Sequence, residues 1–144
     1  MVVYRLELEM PDVVDQLAGA PPEQLRRIAR AACELTRSRY DIDDERYRAG
    51  WRALTEGRFG ESDERAGVSE LVEELDEAQL DVQDAVEAGR AADADHETAF
   101  ARARTANTLV CALDGDATLA ACESLYEANA VVEDDDAIRA LATE

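Results

Sequence analysis

Apolar positions along this chain recur mostly at helical spacing. From Pro22 to about Arg39 they fall at Leu25, Ile28, Ala29, Ala32 and Leu35, the i, i+3, i+4 repeat of a helix with one buried face. Tyr47, Trp51 and Leu54 give the same signal over a helix that Asp43 or Asp44 can cap and that runs to about Glu56, before Gly57. A longer stripe, Val68, Leu71, Val72, Leu75, Ala78, Val82, Ala85 and Val86, predicts a helix from about Glu64 to Ala88. Phe100, Ala103, Ala106, Val110 and Cys111 mark the inward face of a helix capped by Asp95 and ending near Leu113. Asp114-Gly115-Asp116 is a tight turn, and the segment Ala117–Val132 that follows is apolar nearly all round, with Glu123 and Glu127 its only charges. A helix of that kind is a buried one, so 95–132 is expected to be a central antiparallel hairpin. Short helices are expected at Pro11–Ala18, with proline in its first turn, and after Asp134 or Asp135 around Ile138 and Leu141.

Residues 2–10 depart from this period. Val2, Tyr4, Leu6, Leu8 and Met10 alternate with Val3, Arg5, Glu7 and Glu9, which is a strand pattern. A lone strand needs an edge, which pairing across a homodimer axis would supply; an extended arm over the helices is the alternative. A helix through Val3, Leu6, Met10, Val13 and Leu17 also fits, but would hold Pro11 in its interior. The expected architecture is one all-α domain over 1–144, a compact bundle of six or seven helices with a short N-terminal strand or arm.

Composition supports that class. The apolar fraction is 47%, enough for a core in 144 residues, while aromatics make up only 5% and alanine, the best helix former, fills much of the rest. The three cysteines, Cys33, Cys111 and Cys122, lack ligand-like spacing and read as buried thiols in a reducing cytosol. The N-terminal stretch has no signal-peptide pattern, and no run has the roughly 18 apolar residues of a membrane span. A cytoplasmic protein without membrane contact is the expectation.

Charge changes the picture most. Thirty-four acidic residues face fifteen basic ones for a net −19, and every basic residue is arginine. GC-rich coding and a salt-accumulating cytoplasm both produce such a composition, and either would make the acidity a trait of the host. A surface this anionic repels nucleic acid and acidic lipid. The charge is also uneven: residues 26–58 hold nine arginines and six acids, a net +3. Those arginines either pair with acids of the long helix and with i±4 neighbours, or form an anion-binding pocket in which Arg48 and Arg52 stand beside Tyr47 and Trp51.

The long helix carries Glu70, Glu73, Glu74, Glu77, Asp81 and Asp84 on the face opposite its stripe. Such a face can meet a basic protein by electrostatic steering. Its carboxylates are also hard-cation ligands, so Glu70, Glu73, Glu74 and Glu77 are the candidate Mg²⁺ set. The stretch SELVEELDEAQLDVQDAVEAG resembles the metal-binding helix of all-α nucleoside-triphosphate pyrophosphohydrolases of the MazG type. That resemblance implies Mg²⁺ held by those four glutamates, with Arg48 or Arg52 on phosphate, but the second acid pair of the family is absent from the preceding helix. His96 is the only histidine, too few for a di-iron site, and reads as an exposed first-turn residue. No phosphate loop, dinucleotide fingerprint, nucleophile elbow or paired C-x-x-C occurs, and Glu133-Asp134-Asp135-Asp136 reads as helix capping.

A second resemblance spans about residues 14–132. The segments QLAGAPPEQLRRIARAACELTRSRY and DDERYRAGWRALTEG, followed by an alanine-rich helical hairpin, resemble small all-helical bacterial proteins of the YjaG type. The shared positions are Cys33-Glu34, Tyr40, Trp51 and Leu54, and the resemblance implies a fold and no activity. The function expected from the whole reading is a non-enzymatic interaction module of the decoy, inhibitor or immunity type. It takes no cofactor and meets a basic protein through Glu70, Glu73, Glu74, Glu77, Asp81 and Asp84. The Mg²⁺-dependent pyrophosphohydrolase and an anion-binding module on the arginine-rich segment are the alternatives.

Overall fold

The computed structural model describes residues 4–143. Among them are eight helices and no strand: α1 (Arg5–Glu9), α2 (Pro11–Leu17), α3 (Pro22–Arg39), α4 (Glu45–Thr55), α5 (Asp63–Glu87), α6 (Asp93–Ala112), α7 (Ala117–Val132) and α8 (Asp135–Leu141). The starts follow local chemistry. Pro11 and Pro22 stand at first-turn positions, where a missing N–H removes nothing. Asp44, Ser62, Asp116 and Asp134 each cap a helix by accepting a backbone N–H with the side chain. Asp95, expected as the cap of α6, sits inside its first turn instead, and its carboxylate reaches back to the N–H of Ala92 at 3.0 Å. Gly57 and Gly89, both at φ 74°, stop α4 and α5 in the left-handed region.

The eighth helix is the correction to the N-terminal strand. Leu6, Met10, Val13 and Leu17 are all buried, as the helical alternative required, while Leu8 is 83% exposed. Pro11 is no obstacle, because the chain breaks at Met10 (φ −138°, ψ 70°) and Pro11 opens a second helix. With the backbone of 5–9 wound into α1, strand pairing no longer supports a homodimer. Val2 and Val3 lie outside the described residues.

Two cores lie on either side of an α3–α7 spine. Ala29 and Cys33 of α3 and Ala120 of α7 face the first core, with Tyr47, Trp51 and Leu54 of α4, Val68, Leu71 and Val72 of α5, and Ala106 and Leu109 of α6. Leu25, Ile28 and Ala32 of α3 and Ala121, Cys122, Leu125 and Ala128 of α7 face the second, with α1, α2 and Ile138 of α8. Helix α7 is thus covered on several sides, as its apolar circumference demands. It lies antiparallel to α6: Arg104 meets Glu127, and Phe100 shares a cleft with Ala130.

The α4–α5–α6 crossing is close. A Cβ on Gly50 would lie 2.5 Å from Val68 Cγ2 and 2.9 Å from Leu109 Cδ2, so glycine is what lets these helices approach. The α6–α7 corner is held by Arg26. Its guanidinium donates to the carbonyls of Ala112, Asp114 and Gly115 at 3.3, 2.6 and 2.9 Å and stacks on Phe59 with 3.8 Å to the ring centre. A cation on the carbonyls that end a helix also complements its dipole.

One part of the fold stands apart from both cores. Beyond Val72 no residue of α5 is fully buried, and α6 has no fully buried residue before Ala101. Leu75, Val82, Ala85 and Val86 are half-buried against α6, and Ala78, expected on the stripe, is exposed. Phe100 is 39% exposed and Val110 and Cys111 lie at the boundary, while Ala101, Thr105, Thr108, Leu109 and Ala112 join Ala103 and Ala106 on the buried face of α6. Residues 76–100 therefore form a two-helix arm extending past the bundle.

Candidate functional site

The six carboxylates of α5 singled out in the sequence, Glu70, Glu73, Glu74, Glu77, Asp81 and Asp84, are all exposed on one side of the helix. The structure divides them. Glu70 and Glu74 receive the guanidinium of Arg46, which also donates to both carboxylate oxygens of Asp44 at 3.1 and 3.0 Å. Arg46 holds the carboxyls of Asp44 and Glu74 below their usual range, chiefly through these hydrogen bonds. Glu73, Glu77, Asp81 and Asp84 form no ion pair among the described residues. The uncompensated face thus begins at Glu73 and continues along the arm. Residues 76–100 carry eight acids against the single cation Arg90.

The Mg²⁺ set is not assembled. Glu70 and Glu74 are occupied by Arg46, and among the described residues no three His, Cys, Asp or Glu side chains converge closely enough to hold a metal ion. As placed, these residues do not fit the cation.

The four residues of the anion pocket are separated by the helix that carries them. Tyr47 and Trp51 face the first core, and Arg48 and Arg52 face solvent. Arg48 pairs with Asp43 at 2.6 Å and Glu45 at 3.2 Å, and Arg52 pairs with Glu45 at 2.8 Å. Most of the rest of the arginine-rich segment is similarly engaged, whereas Arg27 and Arg39 are exposed and form no ion pair among the described residues. Arg30 pairs with Glu34, Arg58 with Glu56 and Glu64, and Arg37 stacks over Trp51 at 4.3 Å. Tyr47 Oη and Trp51 Nε1 are both buried and lie near one another, yet neither completes a hydrogen bond of normal geometry. Burial pushes the Tyr47 hydroxyl up to about 12.

The cysteines are free thiols. Burial raises all three, Cys33 well above its usual value and Cys111 and Cys122 to about 12, which suppresses the nucleophilic thiolate. His96 is half-buried rather than exposed. The amide nitrogen of Gln79 lies 2.6 Å from its Nε2, so the ring nitrogen accepts and ties α6 to α5.

Sequence reasoning missed the one fully buried charge among the described residues. Glu127 on α7 is fully buried, and its carboxylate accepts from Arg5 at 2.9 Å and from Arg104 at 3.2 Å. Arg104 continues to Asp76 on α5 at 2.7 Å, and Arg5 continues to Glu123. A chain of five charges thus runs from α5 through α6 and α7 to α1. Asp76, Arg104, Arg5 and Glu127 line a cleft of about 250 Å³ together with Phe100 and Tyr126. The available signal was one of only two acids on an otherwise apolar helix, with Arg104 on the neighbouring one.

No protein-family model, curated protein or solved structure matches this chain. Among the described residues no helix is long and apolar enough to cross a membrane.

Proposed function

We propose that this protein is a non-enzymatic interaction module that binds a basic protein partner and occludes it with the acidic side of the α5–α6 arm. The observation that carries this reading is the row Glu73, Glu77, Asp81 and Asp84. These four exposed carboxylates share one side of a helix and lack internal counter-cations; Glu77, Asp81 and Asp84 sit on the arm, and Glu73 lies just before it. Fourteen other acids among the described residues pair with arginines, Asp43, Glu45 and Glu56 among them, and no member of this row does. Like charges held together on a helix repel and destabilise it, and a cationic partner relieves that repulsion.

Long-range attraction from such a row raises the association rate by about 10- to 1,000-fold and fades as salt screens it. The test is affinity capture from host lysate at low and moderate salt, comparing the parent with the variant Glu73→Arg, Glu77→Arg, Asp81→Arg, Asp84→Arg. The parent is expected to retain a basic protein that leaves as salt rises, and the variant to release it at low salt. Retention of the same proteins by both, or of nothing basic by either, refutes the reading.

A further inference from the structure

Three concavities of about 540, 250 and 230 Å³ meet over Ala130 of α7. They share their walls: Tyr126 borders the first two, Phe100 the second and third, and Glu133 the first and third. Together they make one groove across the C-terminal half of α7, bounded by α1, by the arm, and by Tyr40 at the end of α3. Its chemistry is specific. Three aromatic rings, Tyr40, Phe100 and Tyr126, line it together with four carboxylates, Glu9, Glu97, Glu133 and Asp135, and with Ala130 and Val131.

None of those four carboxylates forms an ion pair among the described residues. Glu9 and Asp135 receive only the neutral amide of Asn129, at 3.4 and 3.0 Å. The groove's own cations, Arg5 and Arg104, are already bound to Glu127. They also show what the rings accept. The Arg5 guanidinium lies over Tyr126 at 4.3 Å and that of Arg104 lies 5.9 Å from the centre of Phe100.

We infer that this groove docks an arginine-bearing segment of a basic partner protein, whose guanidinium groups stack on Tyr40 and the exposed part of Phe100 and pair with Glu9, Glu97, Glu133 and Asp135. Aromatic faces bind cations, and a planar guanidinium stacks on them and forks onto a carboxylate in a way a compact ammonium does not. Ala130 and Val131 suit the aliphatic stem of a long basic side chain. A second copy of this chain is the wrong occupant, because two bodies of net −19 repel. The inference rests on the proposed partner chemistry and adds a selectivity that the α5 row lacks: the row attracts positive charge of either kind, and the groove prefers arginine.

The probes are two labelled peptides of equal charge, one with arginine alternating with alanine and one with lysine in its place, titrated by fluorescence anisotropy at one fixed salt. The parent is expected to hold the arginine peptide about tenfold more tightly. Ala130→Arg, which fills the groove with a cation, and Phe100→Ala, at a partly exposed site that tolerates truncation, are each expected to erase that preference. Circular dichroism verifies that both variants are folded. Reversal of Glu73, Glu77, Asp81 and Asp84 is expected to weaken both peptides equally. Equal affinities in the parent, or a preference that survives both groove variants, overturns the groove. If the α5 reversal still abolishes binding in that case, the proposed function stands without it. A preference that depends on the groove but ignores the α5 reversal sustains the groove and overturns the role of α5.

Discussion

Replacing Glu127 by glutamine isolates the charge at the centre of the inter-helix chain while keeping its shape. The parent carboxylate is fully buried and accepts two charge-assisted hydrogen bonds, at 2.9 Å from Arg5 and 3.2 Å from Arg104. Breaking a buried pair costs about 3–5 kcal/mol when the remaining charge is stranded. Here neither arginine is stranded, since Arg5 keeps Glu123 and Arg104 keeps Asp76. Glutamine also still offers one acceptor oxygen. The expected loss is therefore below that range, about 2–3 kcal/mol. For a chain of this size that corresponds to a drop of about 6–12 °C in Tm. Urea unfolding followed by circular dichroism measures it, with Glu123→Gln as the control. Glu123 meets only Arg5, a half-exposed partner, so its loss is expected within about 1 kcal/mol. The deficit of Glu127→Gln should persist at high salt, because a buried pair is poorly screened. A change under about 0.5 kcal/mol, or a deficit that salt erases, refutes the assignment of Glu127 as the buried hub.

Tyr47→Phe removes a buried hydroxyl without a partner and is expected to leave stability unchanged or raise it by about 1 kcal/mol, read by urea unfolding. The same variant tests a pH effect. With the folded hydroxyl pushed up to about 12 and the unfolded one near 10, the contribution is complete below pH about 10 and is lost as pH rises toward 12. Tyr47→Phe is expected to flatten that alkaline limb, and an unchanged limb contradicts the burial of the hydroxyl. Gly50→Ala gains about 1 kcal/mol of helix propensity but meets Val68 and Leu109 inside normal contact, so a net loss of about 1–2 kcal/mol is expected. Val68→Ala should recover part of it, and a higher Tm for Gly50→Ala would count against the close crossing. Native protein is expected to resist alkylation of Cys33 and Cys122, with slow labelling confined to Cys111, and unfolded protein to label at all three; mass spectrometry counts the adducts.

Helical periodicity carried most of the architecture because α3, α4 and the first half of α5 each bury one continuous face. Leu25, Ile28, Trp51, Leu54 and Leu71 all fell where their spacing put them. Residues 2–10 were ambiguous for a physical reason: Leu6 and Met10 satisfy a period of 2 and of 3.6 alike. Only the break at Met10 separates the two readings, by letting Pro11 begin a helix rather than interrupt one. The α5 stripe beyond Leu75 looked like core because its pattern is helical, yet it faces one neighbouring helix instead of a bundle. Pattern gives the direction of an apolar face but not how much structure covers it. The acidic row was legible as a row. Which of its members Arg46 neutralises depends on the crossing of α4 and α5, which local sequence does not encode. The same holds for Glu127, whose partner Arg5 is 122 residues away.

That separation bears on how the chain is made. Arg5 to Glu123 and Glu127, Glu9 to Asn129, Gln16 to the carbonyl of Ala142, and Asp12 to Arg139 are all closures over 118 to 127 residues. Helices α1 and α2 leave the ribosome before the others described here, but their covering surface on α7 and α8 is synthesised only after α3 to α6. At roughly 5–20 residues per second, Leu6, Met10, Val13 and Leu17 wait several seconds without a core. During that interval Glu7, Glu9, Asp12 and Asp15 surround those apolar positions with negative charge. Like-charge repulsion from those residues opposes association through the uncovered apolar positions until α7 arrives.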